Sequence, residues 1–465
     1  MKEIAFAEKI ALYKCEKDPS AILEKQDLQI DLFEPTAVRF SAGDYIVLDF
    51  GKEMCGGTRI LTFEPAGARV RIRHGESLTE CCSELLGKTN ATNDHALRDF
   101  EIELPRHSDM TFPETGFRFL RIDFYGEVLI KTVVCVSSIL RRKAVYTYGG
   151  SDARIREIFE TAKRTVDLCA ASGMIWDGVK RDRLVWIGDM HPEMLALSTL
   201  YGRLPAIERS LDFVRKKTAL PGWMNGFPMY SMWWIIIVAD YYKRVGAENF
   251  VRRQLPYLSA LVEQIDGCVL ANGDLNYPSY FVDWPTHETE DELHGVRAIN
   301  ILSMKRAIEV LEAFGKNADT ARAVLARLEK QEISPKNKKQ VLGLKFFATA
   351  LTEADKEMLV SGGAKGMSTF MSYYVLKAVA SFDKAKAIEM LKEYYGAMLD
   401  KGATTFWEDF DLSWVENSCR IDALPKAGER DIHGDFGAYC YEGHRHSFCH
   451  GWSAGIIAFI KEECE

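Results

Sequence analysis

The 465-residue chain has no long apolar run, no excess of positive charge and no regular cysteine pattern, and each absence removes a class of function. Its longest apolar stretch, MWWIIIVA at residues 232–239, is far short of the roughly 20 residues that span a bilayer. That stretch reads as a core helix, and no membrane association is expected. Lys and Arg number 59 against 67 Asp and Glu, for a net charge of −8. The basic residues are interspersed with acids, so the electrostatic footprint that nucleic acids require is missing. A neutral or weakly charged small molecule suits this surface better. The eleven cysteines are odd in number and irregular in spacing, with Cys81 and Cys82 adjacent, which fits reduced thiols and not a disulfide framework. No CxxC pairs point to zinc. The N-terminal MKEIAFAEKIALYKCEKD breaks its apolar residues with charge too often for a secretory core, and no lipidation motif is found. A cytoplasmic location is expected.

What is present is a chain long enough for two or three cores, 47% hydrophobic and 11% aromatic. From about residue 36 to 140 the pattern has period two. YIVLDFGKEM, TRILTFEPAGARVRIRHGE, FRFLRIDFYGE and VLIKTVVCVSSIL read as short strands, punctuated by Gly-Gly, Pro-Ala-Gly and Tyr-Gly. This predicts a β-sandwich. Residues 77–110, with LGKTNATNDHALRD, have little period and predict a long loop followed by one more strand. Near Ser151 the period changes. GGSDARIREIFETAKRTVDLCAAS opens on an N-cap, with Ile155, Ile158, Phe159 and Ala162 at helical spacing. Further helices are predicted at about 191–202, 205–217, 230–246, 249–268, 293–315, 317–330, 369–381, 384–398 and 450–462. Periodicity alone leaves a bundle and a barrel of helical hairpins equally open. The expected domains are residues 1–145, a β-sandwich, and residues 146–465, helical.

Four clusters carry potential chemistry. WDGVKRDRLVWIGDMHPE at 176–193 gathers Asp177, Asp182, Asp189 and Glu193 around Arg181 and Arg183, with Trp176 and Trp186 between them. Several acids close together in a partly buried site cannot all ionise cheaply, so one can stay protonated near neutral pH, as a general acid must. The plainer reading pairs Asp182 with its flanking arginines on a solvated loop and makes Asp189 or His191 a helix cap. GATTFWEDFDLSW at 402–414 sets Glu408, Asp409 and Asp411 among Phe406, Trp407, Phe410 and Trp414. Rings beside carboxylates suit a sugar site, where flat faces pack on C–H groups and acids bind hydroxyls; a partly buried helix cap is the alternative. FVDWPTHETEDELHG at 281–295 repeats the pairing in Asp283 and Trp284, while its Glu288 to Glu292 read as a solvated turn. HRHSFCHGWSAG at 444–455 holds three histidines without metal-ligand spacing. No metal and no cofactor is expected.

In this order the clusters resemble glycoside hydrolase family 78, the α-L-rhamnosidases. The family signature runs Asp, three residues, Arg, Glu, Arg, Leu, Gly, Trp, any residue, Gly, Asp. Asp177, Arg181, Asp182, Arg183, Leu184, Val185, Trp186, Gly188 and Asp189 stand at matching spacing without a gap. GATTFWED is similar to the family's Gly-x-Thr-Thr-x-Trp-Glu segment, and SFCHGWSAG to its Ser-x-Asn-His-x-x-x-Gly segment. LDFGKEMCGGTRILTFEPAGARVRIRHGE and TGFRFLRI resemble the β-sandwich that precedes the catalytic domain in this family.

The resemblance implies an (α/α)6 barrel and an inverting glycosidase that releases terminal α-linked L-rhamnose. It puts Asp182 in the general acid's place and Glu408 in the base's. It further implies that Asp177, Arg181, Asp189 and His450 bind rhamnose hydroxyls and that Trp186, Trp284 and Trp407 line the ring, with Asp283 converging on the same end of the barrel. The chain would be a short form, lacking a C-terminal β-sandwich found in many relatives. Its partner would be a rhamnoside or oligosaccharide, with the aglycone side built by the N-terminal domain, by loops such as 272–292, or by a second subunit of a homo-oligomer. Three positions depart from the pattern: Asp182 stands where the family has Glu, Val185 where it has Gly, and Cys449 where it has Asn. The first withdraws the carboxyl by one methylene, about 1.5 Å. A rhamnoside-binding pseudoenzyme, and a barrel glycosidase for another deoxy or uronic sugar, are the alternatives these departures leave open.

Overall fold

The computed structural model describes residues 2–34, 36–63, 68–84 and 98–465. The first part of the chain is an antiparallel sheet domain. Its strands are β1 (Lys2–Phe6), β2 (Lys9–Lys14), β3 (Val38–Phe40), β4 (Tyr45–Thr62), β5 (Ala68–Gly75), β6 (Asp99–Leu104), β7 (Asp109–Thr111), β8 (Thr115–Phe124) and β9 (Val128–Ser138). The 18-residue β4 belongs to two layers. Its first half, Tyr45–Asp49, lies between β2 and β8, and its second half, Gly56–Thr62, pairs with β9. A register shift between Asp49 and Met54 marks the bend where it changes partners, which is how one strand can serve two packed sheets. Between the layers lie Phe40, Ile46, Phe50, Ile60, Val70, Phe117, Ile122 and Val133, all buried.

Three details correct the expectation. The Gly-Gly expected to end a strand lies inside β4, because a Cβ at Gly56 would stand 2.6 Å from Val136 O and one at Gly57 2.3 Å from Phe112 O. Those glycines mark close strand approach, not a turn. The charged N-terminal segment, outside the expected sheet, supplies β1 and β2, which pair with β9 and β4. The segment from 77 to 110 contains a short helix, α1 (Leu78–Cys82), before β6. Residues 85–97 of the expected loop, and the Pro-Ala-Gly turn, lie outside the described residues.

The remainder is helical: α2 (Ala153–Cys169), α3 (Met190–Tyr201), α4 (Pro205–Lys217), α5 (Pro228–Val245), α6 (Glu248–Asp266), α7 (Glu292–Ala313), α8 (Asp319–Leu328), α9 (Lys339–Ala348), α10 (Glu353–Val360), α11 (Ser372–Ala380), α12 (Lys384–Asp400) and α13 (Ile456–Glu463). Alternate helices pack in sequence, α3 on α5, α5 on α7, α7 on α9, α9 on α11 and α11 on α13, and α13 returns to α3. That closure selects the barrel over the bundle. The inner helices are apolar almost all round; every residue of α3 is buried. Outer helices such as α2 keep one buried stripe, at Ile155, Ile158, Phe159, Ala162 and Val166, as their position demands. Helices α9 and α10 fall where no helix is predicted. Of the helix expected at 450–462, Gly451–Gly455 form a 3-10 helix that runs directly into α13. Among the described residues no helix is long and apolar enough to cross a membrane.

The expected boundary after residue 145 falls in the segment joining β9 to α2. A small third core, Cys55, Leu168, Cys169, Val179 and Cys449, joins the sheet to the helices. Around it the two parts exchange polar bonds: Glu53 N donates to Thr404 Oγ1 at 2.9 Å, and Ser77 Oγ lies 2.7 Å from His433 Nδ1.

Candidate active site

The loop between α2 and α3 folds back on itself. Leu184 N donates to Asp177 Oδ1 at 2.9 Å, and Gly451 N donates to Asp177 O at 2.7 Å, which ties this loop to the segment carrying His450. At its tip Asp182 and Arg183 have φ of 54° and 51°, a left-handed backbone that few non-glycine residues adopt and that clusters at functional sites. Trp186 Nε1 donates to Asp182 Oδ2 at 3.1 Å. Gly188 is required by packing, since a Cβ there would stand 2.3 Å from the Tyr230 ring.

This loop forms one side of a cavity of about 290 Å³, close to the lower bound of roughly 300 Å³ for ligand pockets and suited to one small ring. Asp177, Arg181, Asp182, Asp189, Glu408 and His450 line its polar side, joined by Arg445. Trp186, Phe227, Tyr230, Phe281 and Trp284 make an apolar wall, with Trp452 beside His450. Arg181 is the hub. Its Nη2 donates to both carboxylate oxygens of Glu408, at 2.5 Å to Oε1; its Nη1 lies 3.5 Å from Asp182 Oδ1; and its Nε donates to Arg445 O at 3.0 Å. Ser447 N donates to Glu408 Oε2 at 3.0 Å. Tyr230 OH donates to Asp189 Oδ1 at 3.0 Å.

The electrostatics follow from burial. Asp177 is pushed well above the usual carboxylate range by burial, reinforced by the charges of Asp182 and Asp189. Asp189 is raised for the same first reason, helped by Glu408 and Asp182 against the opposing bond from Tyr230. Behind them Glu193 is raised by burial and by both aspartates. His450 is held well below the usual histidine range by burial and by Arg181. Burial thus favours the protonated form of Asp177 and Asp189 and the neutral imidazole of His450 beside Arg181. Its loop is not solvated: Asp182 is 5% exposed. Asp189 sits at the N-cap of α3 but makes no side-chain cap bond, so of the plainer reading only the pairing of Asp182 with Arg181 holds, and it lies in a buried loop, not a solvated one.

Eight of the ten residues singled out from the sequence line the cavity: Asp177, Arg181, Asp182, Trp186, Asp189, Trp284, Glu408 and His450. Two do not. Trp407 is fully buried, stacked on Phe448 at 4.2 Å, and Asp283 is buried under the cavity's neighbourhood as a turn cap, accepting from Thr286 N at 3.0 Å and Ser368 Oγ at 2.7 Å. The remaining histidines diverge. His444 pairs with Asp431 at 3.1 Å, and His446 Nε2 accepts from Asp409 N at 2.9 Å. Phe227 and Tyr230, which have no acid or motif beside them, were not legible as site residues, and Phe281 was passed over although it opens the segment that carries Asp283 and Trp284.

A further residue came from the sheet domain. Glu76, just past β5, accepts from Phe448 N at 2.6 Å and from Ser447 Oγ at 3.3 Å, and so holds the segment whose Ser447 N–H binds Glu408. Among the described residues, Glu76, Glu80 and His433 are near enough to share a metal ion. Lys180 Nζ already stands among them, 2.9 Å from Glu80, 3.6 Å from Glu76 and 3.4 Å from His433 Nε2, and its ammonium supplies the positive charge that such a group attracts.

Residues 40–139 match the family model of the bacterial α-L-rhamnosidase concanavalin-like domain. No curated protein matches the chain. A rhamnosidase from Klebsiella oxytoca with rhamnose bound is similar over 100% of this chain and 96% of its own, at 19% identity and a TM-score of 0.74. A family 78 rhamnosidase of Bacillus sp. GL1 is similar over 96% of this chain, with 18% identity and a TM-score of 0.73. An α-L-rhamnosidase of Streptomyces avermitilis complexed with L-rhamnose covers 91%, with 17% identity and a TM-score of 0.65. The chain spans 49% and 43% of the length of these last two. The architecture is therefore that of the glycoside hydrolase family 78 rhamnosidases, a sheet domain followed by a helical barrel. Within it, residues 40–139 are a concanavalin-like domain of the bacterial α-L-rhamnosidase type.

Proposed function

We propose that the protein hydrolyses α-linked L-rhamnosides, releasing terminal L-rhamnose with inversion, with Asp182 as general acid and Glu408 as general base. The observation that carries this reading is the shared cavity in which one guanidinium, that of Arg181, contacts both carboxyls. They can be no farther apart than the span of that guanidinium and its two contacts, a length compatible with the roughly 6.5–9.5 Å that leaves room for water between an inverting pair. The apolar wall of Trp186, Phe227, Tyr230, Phe281 and Trp284 suits the methyl group of a 6-deoxy sugar, while Asp177, Asp189 and His450, whose burial favours their uncharged forms, suit its hydroxyls.

In this scheme Asp182 gives its proton to the departing oxygen while Glu408 takes one from water on the opposite face. Arg181 and Ser447 N–H fix the direction of the Glu408 carboxylate. Residues 1–145 act as the accessory domain and 146–465 as the catalytic one. Two carboxylates and water complete the chemistry. The test is turnover of p-nitrophenyl α-L-rhamnoside followed by NMR before mutarotation: the inverted anomer should appear first. Initial release of the retained anomer would require a nucleophile with carboxyls about 5–5.5 Å apart, and no release at all would remove the activity.

A further inference from the structure

Asp182 and Arg183 stand one after the other in the left-handed region, and non-glycine residues held there are strained and persist only where the surroundings fix them. The loop that carries the proposed acid therefore needs anchors beyond its own turn. One is Asp177, which accepts from Leu184 N and, through its carbonyl, from Gly451 N. The other comes from outside the loop. Asn225 Nδ2 donates to Val185 O at 3.1 Å, and Asn225 Oδ1 accepts from Ile187 N at 3.0 Å. An amide side chain carries both a donor and an acceptor, so one residue grips the backbone on either side of Trp186. Trp186 in turn packs on Phe227 and Tyr230, at 6.4 and 6.0 Å between ring centres, and its Nε1 donates to Asp182 Oδ2 at 3.1 Å. Asn225 has φ of 52° and ψ of 16°, a conformation that Asn adopts more readily than most residues. It sits in the turn between α4 and α5 that also delivers Phe227 to the apolar wall. Val185, where the family pattern has Gly, is buried in the barrel core and removes the backbone freedom that a glycine would leave in the gripped stretch.

We infer that Asn225 is a positioning residue for acid catalysis: its amide fixes Trp186, and the indole N–H, which can only donate, holds the Asp182 carboxyl in one orientation. Asn225 acts through Trp186 and touches neither the departing group nor the acid. The inference deepens the proposed function and rests on Asp182 being the acid. Its mark is selective: loss of the grip should matter most where the leaving group needs a proton, because an acid displaced by roughly an ångström loses much of its effect.

The test is steady-state kinetics of the full chain on p-nitrophenyl and methyl α-L-rhamnoside, read as the ratio of the two kcat values. Any disturbance of the rhamnose ring itself slows both substrates and cancels in that ratio. Asn225→Gly removes the amide and keeps a residue at ease in the left-handed region; it should raise the ratio of nitrophenyl to methyl rate about tenfold or more. Asn225→Asp keeps the acceptor for Ile187 N and should raise the ratio severalfold, which serves where the glycine variant does not fold. Trp186→Phe keeps a ring and drops the N–H, so it should raise the ratio too. Combining it with Asn225→Gly should add nothing further, as expected of two members of one chain of contacts. An unchanged ratio in folded Asn225→Gly or Asn225→Asp overturns the inference, and so does a double variant whose effect is the product of the singles. Asp182→Asn is the control. A ratio left at the wild-type value there removes Asp182 as the acid and takes the inference with it, whereas a raised ratio there beside an unchanged one in Asn225→Gly overturns the inference alone.

Discussion

Asp182 joins a sequence departure to a backbone conformation. The family pattern has Glu at this position, and the chain answers with Asp in the left-handed region, where Asp is tolerated far better than longer side chains. The shorter acid and the turned backbone belong together, so restoring Glu is expected to harm. Asp182→Glu should destabilise the fold by about 1 kcal/mol and lower kcat on unactivated rhamnosides about 100-fold, since roughly an ångström of misplacement can cost that much; thermal melts and steady-state kinetics measure both. Asp182→Asn should slow sugar rhamnosides by about 10²–10⁴-fold and spare p-nitrophenyl rhamnoside, whose leaving group is stable as an anion. Equal rates for wild type and Asp182→Asn on both substrates would exclude Asp182 as the acid. Glu408→Gln should lose turnover on both classes and keep rhamnose binding, because water needs the base whatever group departs.

At the level of elements, what the sequence disclosed and what it hid have physical causes. The loop from 176 to 189 was legible because its functional residues are contiguous and its spacing is fixed by one turn. The outer helices were legible because one face meets water. Helix α9 was not, because Val341, Leu342, Gly343 and Leu344 are buried and their neighbours Lys339, Gln340 and Lys345 are buried too, which erases the period. Phe227 and Tyr230 belong to the site through the barrel's curvature, which no local pattern encodes. The two segments that face each other, 402–411 and 444–450, set a pH limit of their own. Asp409, with a carboxyl raised to about 8 by burial, contributes stability that is complete below about pH 4 and is lost as pH rises through 8. Asp409→Asn should therefore match wild type in melting temperature at pH 4.5 and exceed it at pH 9; parallel melting curves across that range would contradict the assignment.

At the scale of the whole molecule, the sheet domain reaches the chemistry through Glu76. Glu76→Ala should leave Phe448 N–H without its buried acceptor, at a cost of about 1–3 kcal/mol. It should also lower kcat about tenfold with little change in KM, because the Ser447 segment that aims Glu408 loses its anchor. Glu76→Gln, whose amide oxygen still accepts, should recover most of kcat; failure of that rescue in a folded variant would break the link. The same interface has a bearing on how the chain is made. Glu76 and Glu80 of the sheet domain meet Lys180 and His433 of the barrel, so the joining face carries a buried ionic patch beside the apolar contact of Cys55 with Leu168, Cys169, Val179 and Cys449. During synthesis the sheet emerges first, and until the barrel arrives that face is hydrated and charged, a poor surface for sticking to another nascent chain. Docking dries it, and burial then lifts Glu53 well above the ordinary range and Glu76 to about 7. Assembly of the two halves thus moves protons at the joint, burial favouring uptake at Glu53 and Glu76 and release at His433.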